Sequence, residues 1–115
     1  MEPQFHFTDE ERQQLLRNGR CSMRDADHDP IPVMLLRRAG GTPAWLLAEV
    51  DPSDPDLAFG LFDPGDGVPT LGTVRLSALE LLPARGVEIA RDLSYQPITS
   101  LGALTIAAYR AGHIP

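Results

Sequence analysis

The sequence contains no lysine, only one cysteine and no long apolar run. Cys21 alone can form neither an intramolecular disulfide nor a thiolate metal cluster. No stretch approaches the roughly 18 apolar residues that a membrane-spanning helix needs, and the first residues lack the basic and apolar regions of a secretory signal. We therefore expect a cytoplasmic protein that has no membrane partner.

Sequence motifs of catalysis are missing as well. There is no G-x-S-x-G elbow, no glycine-rich phosphate loop and no local motif that would activate Cys21. His6 and His113 lie close to the termini, where chains are usually poorly ordered, so neither is an attractive general base. These absences favour an interaction protein without a cofactor over an enzyme.

The length and composition are those of a globular domain. The 115 residues are 43% hydrophobic and 23% charged, unlike the composition of disordered chains. A chain of this length buries enough surface for one core. We predict a single domain over residues 1–115.

The N-terminal pattern predicts a helix followed by a loop. Thr8 and Glu11 have the spacing of a capping box, which indicates a helix over residues 9–18 that ends at Asn18 and Gly19. The stretch 21–32 is rich in Asp and Pro and has no periodicity, so we expect a loop there.

Short apolar runs bounded by Gly, Pro and Asp predict successive strands. The runs cover residues 32–39, 44–50, 57–62 and 73–76, with a fifth, edge strand at 87–90. The connection 51–56 contains two prolines, so it has no room for a helix and favours antiparallel neighbours.

Two further helices complete the expected fold. Ser77 and Glu80 have capping-box spacing before a short helix that Pro83 stops, and a final helix covers residues 101–111, capped by Thr99 or Ser100 and stopped by Gly112. The predicted class is α+β, with a mainly antiparallel sheet of four to five strands and helices at both ends of the chain.

The charge distribution suggests a binding surface. Between residues 40 and 66 there are six carboxylates and no basic residue. The six are Glu49, Asp51, Asp54, Asp56, Asp63 and Asp66. Because they fall largely in turns between strands, we expect several to cluster at the ends of the sheet and to bind a basic protein partner.

A cluster of Asp and His offers an alternative. Asp25, Asp27, His28 and Asp29 fall within five residues, and carboxylates beside an imidazole could hold a divalent metal or tune a general base. This cluster would suit a small metal-dependent enzyme or hydrolase. Asp is also common in turns, where its side chain accepts hydrogen bonds from nearby amides.

Direct DNA binding is a third hypothesis. Arg20, Arg24, Arg37 and Arg38 could form a phosphate-binding patch. However, the net charge is −6 and the pI is about 4.8. Since unspecific affinity for nucleic acid depends on neutralising phosphates, we expect that attraction to be weak.

Trp45 is the single tryptophan. Its position in an apolar strand indicates a core residue, with a surface hot spot as the alternative.

Three runs carry a family resemblance: DHDPIPVMLL from Asp27, AWLLAEVDPSDPDLAFGLFD from Ala44, and LGTVRLSALE from Leu71. With the RDLSYQP segment at 91–97, they resemble the domain-of-unknown-function 2958 family, small bacterial proteins often found on plasmids and other mobile elements. The resemblance extends over nearly the whole chain. It implies an accessory protein of a mobile element and no established reaction, which favours interaction over chemistry. The oligomeric state stays open.

Overall fold

The computed structural model describes residues 5–39 and 41–115, so residues 1–4 and Gly40 of the proposed domain lie outside the described residues. The elements in chain order are helix α1 (Asp9–Arg24), strands β1 (Met34–Arg38), β2 (Ala44–Asp51), β3 (Asp54–Asp63) and β4 (Thr70–Arg75), helix α2 (Leu76–Leu81), a 3₁₀ turn (Pro83–Arg85), strand β5 (Ile89–Arg91) and helix α3 (Leu101–Ala111). The predicted α+β class is confirmed.

The five strands form one antiparallel sheet in the order β4-β3-β2-β1-β5. Leu36 of β1 pairs with Trp45 of β2, which pairs in turn with Phe62 of β3. The β2–β3 register shifts between Leu47 and Glu49, where β2 has one extra residue. As predicted, β5 lies at an edge of the sheet.

Apolar side chains on the two faces of the sheet form two core clusters. Successive residues of a strand point to opposite faces, so neighbours along β1 and β2 belong to different clusters. Leu36 and Leu47 pack with Leu15 of α1, whereas Leu35 and Leu46 pack with Leu101 of α3. The sheet is thus covered by α1 on one face and by α3 on the other.

Helix α1 begins as predicted but ends later. Thr8 accepts a hydrogen bond from the Glu11 N–H, and the Glu11 side chain accepts one from the Thr8 N–H, so the capping box is confirmed. The predicted end at Gly19 is wrong, because the helix continues to Arg24. An ideal Cβ on Gly19 would lie 1.9 Å from the carbonyl oxygen of Val50. Gly19 therefore permits close packing of α1 on β2 rather than ending the helix.

The connection between β2 and β3 is tighter than predicted. Asp51 pairs directly with Asp54, so Asp54 and Asp56 belong to β3 and not to a six-residue turn. The capping box predicted for α2 is also wrong, since its N-cap is Arg75, whose side chain forms no capping hydrogen bond. Ser77 instead donates through its N–H and hydroxyl to the Asp56 carboxylate, at 2.9 and 2.7 Å.

Helix α3 agrees with the prediction in both bounds and caps. Ser100 accepts a hydrogen bond from the Ala103 N–H, and Gly112 ends the helix with a φ of 78°, a conformation that favours glycine. The buried face consists of Leu101, Thr105 and Ala108. Ala111, at the end of the helix, is exposed.

A two-pronged ion pair joins α1 to the edge strand β5. The Arg91 Nε and Nη2 atoms each donate to a Glu11 carboxylate oxygen at 2.6 Å. Partial burial raises the pKa of Glu11, but the hydrogen bonds from Arg91 and from Thr8 outweigh it and hold that pKa below its ordinary value.

We expect Glu11→Gln to lower the free energy of unfolding at pH 7 by about 1 kcal/mol, the upper range for a partly exposed ion pair. Because the pKa of Glu11 is lowered by folding, its ionised form contributes stability at neutral pH, and this contribution disappears as the pH falls through the lowered pKa. Urea unfolding of both proteins at several pH values tests this. A difference that persists unchanged at the acidic end would contradict the assignment to charge.

Candidate functional site

The six carboxylates between residues 40 and 66, which we call the acidic window, do not form one patch. Asp51 and Asp54 lie at the β2–β3 turn, while Asp63 lies at the far end of β3. At the usual rise of a strand, the nine steps from Asp54 to Asp63 correspond to about 30 Å. The structure therefore separates Asp63 and Asp66 from the other four.

Asp63 does not face solvent, which corrects its inclusion among the carboxylates expected to bind a partner. Its side chain is fully buried, and its oxygens accept hydrogen bonds from the N–H groups of Gly65 at 2.9 Å and Ile114 at 3.0 Å. It ties the C-terminal segment to the sheet. Asp66 is exposed and accepts from the Val68 N–H at 2.9 Å, within its own turn.

Asp54 and Asp56 form ion pairs with Arg75 of β4. The Arg75 Nη1 atom lies 3.1 Å from Asp54 and 3.6 Å from Asp56. The hydrogen bond from the Ser77 hydroxyl, together with the Ser77 N–H and Arg75, holds the pKa of Asp56 below its ordinary value despite slight burial. These two carboxylates fix the junction of β4 and α2, and their charge is partly neutralised.

Of the six carboxylates, Glu49 and Asp51 are the two not yet accounted for, and they line one groove. Within residues 5–39 and 41–115 neither forms an ion pair. The groove has a volume of about 480 Å³ and lies beside the β2–β3 turn, between the end of α1 and strands β2 to β4. We call it the acidic groove; its other principal lining side chains are Ser22, Met23, Leu57, Phe59 and Thr73.

The acidic groove combines two carboxylates that form no ion pair with apolar side chains, although Asp51 accepts a hydrogen bond from the Ser53 N–H at 2.8 Å. Glu49 pairs across the sheet with Phe59, which pairs with Thr73 of β4. Met23 is 69% exposed at the rim, and the Ser22 hydroxyl has no hydrogen-bond partner in the described part of the chain. The groove can therefore attract a cation and cover the apolar stem that carries it.

A second cavity, which the sequence did not predict, lies on the α1 face of the sheet. It has a volume of about 370 Å³. The Trp45 and Phe62 rings stack beside it with centroids 5.4 Å apart. Gly60 and Gly72 pair across strands β3 and β4, so no side chain fills the sheet surface there. We call this cavity the tryptophan pocket; Trp45 is half-buried, in contact with the core as predicted but also part of a surface cavity.

Glycines inside strands were the available signal for this pocket. A glycine in a strand interior often marks a bulge or a close approach of backbone. An ideal Cβ on Gly60 would lie 1.9 Å from the Leu46 carbonyl oxygen, whereas one on Gly72 would meet nothing within 4 Å. Close approach of the β2 backbone thus requires a glycine at position 60, whereas the absent side chain of Gly72 leaves open space in the pocket.

The Asp and His cluster is dispersed among separate structural contacts. Asp25 accepts from the Asp27 N–H at 2.9 Å, and Asp29 accepts from the Gly102 N–H at 2.8 Å, at the start of α3. The buried Nε2 atom of His28 has no partner among the described residues. In that part of the chain no three His, Cys, Asp or Glu side chains are placed to hold a metal, so the structure does not bring the predicted ligands together.

The four arginines of the DNA-binding hypothesis also lie apart. Arg20 and Arg24 follow Gly19 near Val50, whereas Arg37 pairs with Ala44 at the other end of β2. The six steps from Ala44 to Val50 correspond to about 20 Å. Arg37 moreover forms an ion pair with Asp92 at 2.8 Å and donates hydrogen bonds to the carbonyl oxygens of Ile114 and Pro115. Arg38, at the end of β1, is exposed.

Comparisons with known proteins identify a family and nothing closer. The model of the family described as "Protein of unknown function (DUF2958)" matches residues 6–115. No curated protein and no solved structure matches the chain. In the described residues, no helix is long and apolar enough to cross a membrane.

Proposed function

The chain belongs to the DUF2958 family of proteins of unknown function, and we propose that it is a non-enzymatic interaction domain that binds a basic segment of a protein partner in the acidic groove. The observation that carries this proposal is one groove that holds two carboxylates without ion-pair partners, Glu49 and Asp51, beside apolar side chains, of which Met23 is exposed and Leu57 and Phe59 are half-buried. The other four carboxylates between residues 40 and 66 are buried, paired with Arg75 or located in the turn beyond the far end of β3.

The chemistry of the groove defines the partner. A lysine or arginine presents a charged group on an apolar stem, and the groove offers carboxylates beside Met23, Leu57 and Phe59. The net charge of −6 adds a long-range attraction for basic proteins. Nucleic-acid-handling proteins present such basic surfaces, and the carboxylates would take the place of phosphates.

The biological setting belongs to the proposal too. The resemblance to small plasmid-borne bacterial proteins suggests an accessory protein of a mobile element that works in the cytoplasm. Its partner would then be a protein of the element or of its host.

We expect the double variant Glu49→Gln, Asp51→Asn to bind the basic partner about tenfold more weakly, since each partly exposed charge contributes up to about 1 kcal/mol. The substitutions preserve shape and remove only charge. The measurement is an affinity pull-down from bacterial extract treated with nuclease and washed at low and moderate salt, with recovered proteins quantified by mass spectrometry. A partner retained by the wild type after nuclease treatment should be released by moderate salt, because the attraction is screened.

Asp27→Asn with Asp66→Asn is the matched control, since it also removes two negative charges but leaves the groove unchanged. It should bind like the wild type apart from a small effect of net charge. Equal weakening in both double variants would show that only total charge matters and would overturn the groove as the binding site.

A further inference from the structure

Strand β4 leaves an open sheet edge beside both cavities. In the order β4-β3-β2-β1-β5, the described residues place no strand beyond β4. Every second residue of such an edge points its backbone N–H and C=O groups outward, where another strand can pair with them. The edge is therefore a template for strand addition.

The two edges of the sheet are unequal. β5 has three residues, and its Arg91 is held by Glu11, which are features that protect an edge. β4 has six residues, five of them exposed, and contains neither proline nor a charged residue before Arg75. Natural proteins usually block long, uncharged edges, so an open β4 indicates an edge that is used.

The two faces of β4 lead to different chemistry. Gly72 and Val74 lie on the α1 face and line the tryptophan pocket, together with Trp45 and Phe62. On the opposite face, Thr73 adjoins Phe59 and, beyond it, Glu49 of the acidic groove. Because side chains alternate along a strand, a segment paired with β4 would offer one set of side chains to each cavity.

We propose that β4 takes up the basic segment of the partner as a sixth strand in which apolar and basic residues alternate. This inference rests on the proposed function and specifies the form of the ligand. An apolar side chain enters the tryptophan pocket, a basic side chain lies over Thr73 and Phe59 toward Glu49, and the backbone pairs with β4. The guanidinium or ammonium group also gains the attraction of the Phe59 ring, and main-chain hydrogen bonds supply affinity, as in other strand-addition complexes.

A partner segment fits this edge better than a second copy of the chain. Two copies would bring together two molecules that each carry a net charge of −6, which opposes association. A basic segment has the opposite charge and complements Glu49 and Asp51. Self-association is nevertheless a distinct outcome that the experiment detects.

The probe is a synthetic eight-residue peptide of alternating valine and arginine, titrated against the full chain by calorimetry. Its control is a peptide of the same composition with the four valines before the four arginines. Two further probes are methylated on the backbone nitrogens of either all valines or all arginines. In a strand, all valine N–H groups point to one edge and all arginine N–H groups to the other, so one methylated peptide should lose at least tenfold in affinity while the other binds normally.

Two protein variants locate the site. Gly72→Leu fills the tryptophan pocket at a position where a Cβ meets nothing within 4 Å, and it should weaken the alternating peptide at least tenfold. Ala90→Leu places the same side chain at an exposed position of the opposite edge strand and should have no effect. Hydrogen exchange should show that every second amide of β4 becomes protected when the peptide binds.

The outcomes separate strand addition from the proposed function. If the alternating and block peptides bind equally, and both depend on Glu49 and Asp51, the acidic groove remains the binding site and strand addition is overturned. Absence of binding by the alternating peptide also overturns strand addition, while the pull-down decides the proposed function independently. A chain that is dimeric by sedimentation, with β4 amides already protected, would identify a second copy as the occupant and overturn the inference.

Discussion

Replacement of Asp63 by alanine is expected to lower the free energy of unfolding by about 2–4 kcal/mol. Asp63 is fully buried, and its carboxylate receives hydrogen bonds from the Gly65 and Ile114 N–H groups. Alanine removes both acceptors and leaves the buried Ile114 N–H and the partly buried Gly65 N–H without their carboxylate partner. Urea unfolding, followed by the fluorescence of the single tryptophan, measures the change.

Two variants control for this prediction. Asp63→Asn keeps one oxygen acceptor and should lose about half as much stability. Asp66→Ala removes an exposed carboxylate that accepts a single hydrogen bond within its turn, so its cost should stay below about 1 kcal/mol. If Asp63→Ala were no more destabilising than Asp66→Ala, the burial of Asp63 would contribute little.

Local signals account for the parts of the fold that the sequence predicted well. The Thr8 and Glu11 capping box, the Ser100 cap and the Gly112 stop each act within one helical turn, so their chemistry is visible in neighbouring residues. The strands were predicted because apolar runs were bounded by turn residues. The antiparallel order followed from short connections.

Contacts between distant residues account for the errors. Gly19 looks like a helix stop, yet its absent Cβ accommodates the Val50 carbonyl 31 residues later in the chain. Ser77 looks like a cap for α2, but it bonds to Asp56 on a neighbouring strand. In each case a tertiary contact uses a residue whose local preference suggests another role.

The candidate site was only partly visible in the sequence for the same reason. The acidic window identified Glu49 and Asp51, but it could not distinguish them from Asp54 and Asp56, whose partner Arg75 lies on another strand. Nor could it show that Asp63 is buried. The tryptophan pocket depends on the pairing of Gly60 with Gly72, which is a property of strand register.

Gly19→Ala is expected to destabilise the protein by about 3 kcal/mol, although alanine is the better helix former. Helix propensity alone would favour alanine by about 1 kcal/mol. However, the added Cβ would lie 1.9 Å from the backbone oxygen of Val50, which cannot move without displacing β2. Overpacking of this kind typically costs about 1–3 kcal/mol and sometimes more. Here the Cβ, whose position is fixed by the helix backbone, meets a backbone oxygen that is equally fixed. The measurement is again urea unfolding.

Gly102→Ala is the matched helix variant, because its Cβ would meet the carboxylate of Asp29 rather than backbone. That side chain can rotate away at the cost of its exposed hydrogen bond from the Gly102 N–H, so the change should stay within about 1 kcal/mol. If Gly19→Ala instead stabilised the protein as propensity predicts, α1 would not pack against β2 at this distance. Gly19 also lines the acidic groove, and a shift of α1 should therefore weaken binding of the basic partner even at temperatures where the variant is fully folded.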